Sequence, residues 1–334
     1  MSSLLEVRGL SKEFSAGSMM RRARLHAVDD VSFALEPGRI TALAGESGSG
    51  KSTVARLLAR LYDPTAGAVL FEGRDVAADR SRSNVLRYRS KVQMIFQDPF
   101  ASLNPTKTVR AHLERPLRIH GLAARHDVEA RVHELLETVG LVPPFAVAAK
   151  YPHQLSGGQR QRVSIARALA VEPRVLIADE PISMLDVSIR VGILNLMRDL
   201  KDRGIAFLYV THDLASARYV ADDILVMYAG QVVEQGPVDE VLANPLHPYT
   251  RLLISSIPDG TGPLQQIEIR KGTASAAVDP RPGCRFVDRC PLAIDVCRRE
   301  TPELVEARPA QAARCHVTAP PTTHGEDVHA ESAS

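Results

Sequence analysis

Short apolar runs alternate along this chain with longer stretches whose apolar positions recur every three or four residues. The runs at 39–44 (RITALA), 91–96 (KVQMIF), 174–181 (RVLIADEP) and 205–210 (IAFLYV) read as strands, the last two of the kind buried on both faces. After the first, Val54, Leu57, Leu58 and Leu61 fall at helical spacing. Two more helices are predicted at 108–120 and 127–139, the second with Val132, Leu135, Leu136 and Val139 on one face and Gly140 as its stop. Another runs from Val187 to Arg203, opened by Asp186 and closed by Gly204. Strand signals vanish between about 105 and 172. This alternation predicts an α/β fold, with a helical lobe inserted between strands. Residues 4–10 and 25–35 read as strands and 66–73 as a hairpin, which gives a small antiparallel β subdomain at the N-terminus. Between those first two strands, the stretch holding Met19-Met20-Arg21-Arg22 reads as a solvated loop, and Arg80 to Lys91 as a solvated helix. A hairpin around Ala229-Gly230 and a short helix at 237–243 close the core near residue 255.

Composition narrows this picture. The 334 residues are 45% hydrophobic and 24% charged, ordinary proportions for a chain with a sizeable core. A net charge of +2 gives no case for a nucleic-acid partner. No apolar stretch reaches the roughly 18 residues of a membrane span, and the first residues lack the order of a signal peptide. The chain is expected in the cytoplasm, so that any work at a membrane passes through a partner that spans it.

The chemistry gathers at strand ends. RITALA runs straight into Gly45-Glu46-Ser47-Gly48-Ser49-Gly50-Lys51-Ser52-Thr53, the G-x-x-x-x-G-K-[ST] pattern in its strand–loop–helix context. Glycines let successive N–H groups turn inward on phosphates, Lys51 would neutralise the β- and γ-phosphates, and Ser52 would offer its hydroxyl to Mg²⁺. RVLIADEP ends in two carboxylates. Side chains alternate along a strand, so Asp179 and Glu180 are expected to diverge: Asp179 toward Mg²⁺, Glu180 toward the water that attacks the γ-phosphate. Gln97 follows KVQMIF, as a polar cap or a group that reaches Mg²⁺ and that water. His212 follows the last core strand, where it could donate to the γ-phosphate. Phe14 is either core packing or a flat surface for an adenine ring.

A second anion site is predicted at Leu155-Ser156-Gly157-Gly158-Gln159. Ser156 is a favoured N-cap, and Val163, Ala166, Leu169 and Ala170 mark one face of the helix behind it. Two glycines leave that helix start open, with roughly half a unit of positive charge. The chain already holds one triphosphate cradle. The second is expected to serve the nucleotide of another subunit.

Together these residues resemble the nucleotide-binding subunits of ABC transporters over about residues 4–255. GESGSGKST looks like their Walker A, RVLIADE like Walker B, Gln97 like the Q-loop residue, LSGGQ like the signature, Ser183-Met184-Leu185-Asp186 like the D-loop and His212 like the switch histidine. Met184 stands where Ala is usual, and Ile182 where Thr is common. QDPFASLNPTKTV, NPLHPYTRLLISSIP and GCRFVDRCPLA resemble, more narrowly, the oligopeptide/dipeptide importer ATPases. The resemblance implies a P-loop NTPase core with antiparallel and helical subdomains, hydrolysis by Glu180 with Gln97 and His212, and ATP bound by Phe14, the 45–53 loop, Ser156 to Gln159 and Asp186. It also implies Mg²⁺ on Ser52, Gln97 and Asp179, a second ATPase subunit, two transmembrane permease subunits, an extracytoplasmic substrate-binding protein, and a place on the cytoplasmic face of the inner membrane. Two other readings are a soluble ABC ATPase outside transport and a subunit that binds ATP without hydrolysing it.

The cysteines confine themselves to one end. Cys284, Cys290, Cys297 and Cys315 are spaced C-x5-C-x6-C-x17-C, and none precedes them. A cytosolic chain argues against disulfides. Thiolates in this number suit zinc or an iron–sulfur cluster, and the resemblance favours [4Fe–4S] over zinc, with reduced thiols as the remaining reading. The expected organisation is an ATPase domain over 1–255 with a helical subdomain at about 100–172, a Cys-rich extension over 256–316 and a disordered Pro-, Thr- and Ser-rich tail at 317–334.

Overall fold

The computed structural model describes residues 3–16, 23–78, 81–98, 102–124, 126–256, 277–278 and 282–319. The chain opens with the hairpin β1 (Leu5–Ala16) and β2 (Ala23–Leu35), then β3 (Ile40–Ala44) and α1 (Lys51–Leu58). β4 (Ala66–Phe71), β5 (Arg74–Asp75), α2 (Arg82–Lys91) and β6 (Val92–Ile95) lead to the helical lobe: α3 (Val109–Ile119), α4 (Val128–Thr138), α5 (Pro144–Ala148) and α6 (Gly157–Leu169). The core resumes with β7 (Val175–Asp179), α7 (Val187–Asp202), β8 (Ala206–Thr211), α8 (Leu214–Val220), β9 (Asp223–Tyr228), β10 (Gln231–Pro237), α9 (Val238–Ala243) and α10 (Pro248–Ser255). The C-terminal stretch adds β11 (Ala277–Val278), β12 (Val305–Arg308) and β13 (Gln311–Ala313).

The main sheet has the order β12-β13-β10-β9-β3-β8-β7-β6, and its β9-β3-β8-β7-β6 portion is parallel. Its strands are apolar throughout because both faces are covered. In β8, Phe207 and Tyr209 pack into the cluster that includes the helical lobe, while Ala206, Leu208 and Val210 pack into the one that includes α1 and the antiparallel sheet. That smaller sheet runs β11-β2-β1-β4-β5. Every strand of the parallel portion delivers its carboxyl end to one edge, where such folds bind ligands.

Most expected elements are present, with differences that have local causes. α1 ends at Leu58, with Arg60 at φ 52, so Leu61 leaves the apolar face and is 48% exposed. β1 runs on to Ala16, past its expected end, and β2 begins two residues early, at Ala23. The Met19-Met20-Arg21-Arg22 stretch lies outside the described residues, as does most of the tail. Ala229 and Gly230 have φ 46 and 88, the paired positive values of a tight hairpin turn. The C-terminal stretch packs onto the core: β13 pairs with β10, β11 pairs with β2, and Phe286 joins the main core.

Candidate nucleotide-binding site

β3 delivers the loop 45–50 to the carboxyl edge of the sheet, and α1 begins at Lys51. Gly50 holds φ 106, and a β-carbon there would sit 2.2 Å from the Ala27 carbonyl oxygen, so only glycine lets the loop press this close to β2. Lys51 Nζ donates to the carbonyl oxygens of Gly45 and Glu46, each at 2.8 Å. Burial lowers its pKa, opposed by the charges of Glu180, Asp179 and Glu46. A cavity of about 290 Å³ opens over the loop, lined by Phe14, Ser47, Gly48, Gly50, Lys51, Ser52, Thr53 and Glu180 among others. Phe14 therefore shares a cavity with the phosphate loop, although its ring also packs edge-on against Tyr62 at 5.5 Å.

The two carboxylates diverge. Asp179 ends β7 and accepts from Ser52 Oγ at 3.1 Å; burial raises its pKa, and the Ser52 hydrogen bond lowers it in part. Hard oxygens in this arrangement are the donor set that Mg²⁺ prefers. Glu180 is already past the strand, at φ 47, so a left-handed turn rather than the pleat re-aims it. Its carboxylate accepts from Gln97 Nε2 at 3.0 Å and lies 3.3 Å from His212 Nδ1. The ends of β6, β7 and β8 thus bring Gln97, Glu180 and His212 together, with Glu180 reaching the same cavity as Lys51.

The signature segment stands apart. Ser156 Oγ accepts from the Gln159 N–H at 3.2 Å, and the Ser156 N–H donates to Gln159 Oε1 at 3.1 Å, a reciprocal capping box that fixes the start of α6. Neither residue lines the phosphate-loop cavity. Gly158 has a role beyond openness: a β-carbon there would fall 2.4 Å from Ile189 Cγ2, so its bareness lets α6 and α7 pack. Asp186 sits at the N-cap of α7, but its side chain makes no cap hydrogen bond.

The four cysteines stand close enough in the C-terminal stretch to feel one another's charge. Burial pushes the Cys284 thiol up to about 12, and the neighbouring Cys290, Cys297 and Cys315 add to the rise. Yet among the described residues no three His, Cys, Asp or Glu side chains stand where they could hold one metal ion. The expected [4Fe–4S] cluster, and zinc as its alternative, find no support in this arrangement. Sequence reasoning also passed over the neighbours that hold the phosphate loop from outside. The Glu46 N–H donates to Tyr249 Oη at 2.8 Å, and Arg289 grips the Glu46 carboxylate. An acidic residue inside a phosphate loop was the signal available.

Among the described residues no helix is long and apolar enough to cross a membrane. The family model for ABC transporters matches residues 28–183, and that for the oligopeptide/dipeptide transporter C-terminal region matches 233–297. The chain is 42% identical over 325 residues to the oligopeptide transport ATP-binding protein AppF of Bacillus subtilis (strain 168), covering 94% of this chain and 97% of that one. Among solved structures it is similar to cbiO1 of Clostridium perfringens, part of the ABC transporter complex cbiONQ (TM-score 0.64, 29% identity, 73% of this chain and 92% of that one). It is also similar to the dimeric, post-hydrolysis ATP-binding cassette MJ0796 bound to ADP and Pi (TM-score 0.62, 29% identity, 70% and 98%).

Proposed function

This chain belongs to the ATP-binding subunits of ABC transporters, and from that premise we propose that it hydrolyses ATP to drive an importer of oligopeptides or dipeptides. The observation that carries the reading is the convergence of Gln97, Glu180 and His212 beside a cavity floored by Lys51. The peptide cargo rests on the match of the C-terminal region and on the names of relatives such as AppF.

Two copies close head-to-tail on ATP, each lending Lys51 and Ser52 to one nucleotide and Ser156 to Gln159 to the other. Phe14 flanks the adenine and Asp186 faces the subunit boundary. Lys51 meets the β- and γ-phosphates, which bring more charge than the loop carbonyls it now contacts. Ser52, Asp179 and Gln97 would hold Mg²⁺, which supplies charge neutralisation for the phosphoryl group. Glu180 takes a proton from the attacking water, while Gln97 and His212 fix its carboxylate and His212 donates toward the γ-phosphate. Closure pulls on two transmembrane permease subunits at the cytoplasmic membrane face, served by an extracytoplasmic substrate-binding protein. The units are an ATPase domain over 1–255, with its helical subdomain at about 100–172, and an extension over 256–316.

Glu180→Gln tests the chemistry. With Mg-ATP the variant should elute as a dimer that does not turn over, and undiminished hydrolysis would overturn the assignment. For the cargo pathway, the tagged chain from detergent-solubilised membranes should carry two integral membrane proteins with it. Recovery of the chain alone would remove the transport reading.

A further inference from the structure

The C-terminal stretch lies far from the phosphate loop in sequence but touches it in space. Arg289 and Glu46 form a two-pronged ion pair: Nη1 donates to Oε2 and Nη2 to Oε1, both at 3.1 Å. The pair is sheltered, its side chains 13% and 30% exposed. The guanidinium also lies over the rings of Phe286 and Tyr228, 5.6 and 5.7 Å from their centroids. The Glu46 hydrogen bonds raise the Arg289 pKa despite burial, so its charge is permanent. A second arginine, Arg285, donates to the Ala229 carbonyl and to Asp29, and the Gly230 N–H beside it donates to the Ser49 carbonyl at 2.9 Å. The hydrogen bond from the Cys284 N–H to the Cys297 carbonyl, 2.8 Å, closes the segment that carries both arginines.

Glu46 is a carboxylate inside a loop built to receive a polyanion. Left alone it would repel the phosphates. We infer that Arg289 is a positioning residue of the nucleotide site: it neutralises and tethers Glu46, so the phosphate loop is held in its binding shape by the C-terminal extension. The extension is thereby part of the ATP site, and whatever displaces the Cys284–Cys297 segment weakens ATP binding. This rests on ATP occupying the 45–53 loop.

The test is a double-mutant cycle on the full chain, read as the Kd for mant-ATP and, in parallel, as KM and kcat. Arg289→Gln should weaken binding about tenfold, the scale of a charge-assisted hydrogen-bonded pair, and leave kcat within about twofold. In a Glu46→Gln background the same substitution should change Kd less than about twofold, because no carboxylate is left to neutralise. Arg289→Lys keeps the charge without the fork and should fall between; it also serves if Arg289→Gln does not fold. An unchanged Kd in Arg289→Gln, or an equal loss with and without Glu46, overturns the inference. Lys51→Ala in the same assay separates the two readings. If it binds mant-ATP normally, the nucleotide is not in this loop and the parent reading fails instead.

Discussion

The chain carries two Gly-rich helix starts, and they are built differently. At α1 the loop is enclosed: β2 presses on Gly50, Tyr249 and Arg289 hold Glu46, and Lys51 lies buried over the floor. At α6 the start is fixed by its own capping box and by Gly158 packing on Ile189, and Ser156 is exposed, apart from the phosphate-loop cavity. Both use free N–H groups and a helix dipole. The first supplies a lysine and a cavity as well. The second supplies neither, which fits its proposed part in completing a nucleotide site held elsewhere. On the proposed function, this difference makes the first half-site the one that binds and the second the one that completes.

The sharpest way to break this comparison is to disable each half separately. Lys51→Ala should cost the isolated chain about a hundredfold or more in nucleotide affinity. Ser156→Asp keeps a good N-cap but sets a carboxylate toward the γ-phosphate. It should leave mant-ATP binding by the isolated chain intact and abolish turnover. Mixing the two inactive variants should restore measurable hydrolysis, since one composite site is then whole. A mixture that stays inactive would break the head-to-tail pairing.

Next comes Gly158→Ala, which crowds Ile189 and should destabilise by about 1–3 kcal/mol in a thermal melt. Adding Ile189→Ala should recover part of the loss. No loss would return Gly158 to the role of a mere opening.

A further effect is expected from pH. His247 caps α10, its Nδ1 accepting from the Tyr249 N–H at 3.1 Å, and burial lowers its pKa to about 3. The unfolded histidine takes a proton near its ordinary value of about 6.5, so its contribution to stability is full above that pH and is lost as pH falls toward 3. The melting midpoint should drop over this window, and less steeply in His247→Asn, which can still cap. The smallest effect is Phe14→Ala, expected to weaken nucleotide binding by about 0.5–1.5 kcal/mol if the ring faces adenine. Unchanged affinity would leave Phe14 to its packing against Tyr62.

Much of the site was legible because its parts are short-range. The 45–53 loop, the Ser156 N-cap and the placement of Asp179, Gln97 and His212 at strand ends follow from spacings of a few residues. The carboxylate divergence was foreseen for an incomplete reason: the strand stops at Asp179, and a left-handed Glu180 makes the turn. The end of α1 was missed because Leu61 fits the helical period while the backbone at Arg60 does not. β12 and β13 were missed because VEAR and QAA are too short and polar to read as strands. They form only because β10 offers an edge.

By itself, the sequence determined an α/β core with a lysine-bearing phosphate loop, a capped second helix start and a cysteine-bearing C-terminus, since each depends on neighbours within a turn or a strand. Tertiary structure alone decided that Arg289 reaches Glu46, that Gly158 makes room for Ile189, and that the C-terminal stretch completes both sheets. Those contacts join residues tens to hundreds of positions apart, and their geometry is set by strand order and layer packing, which no local pattern encodes.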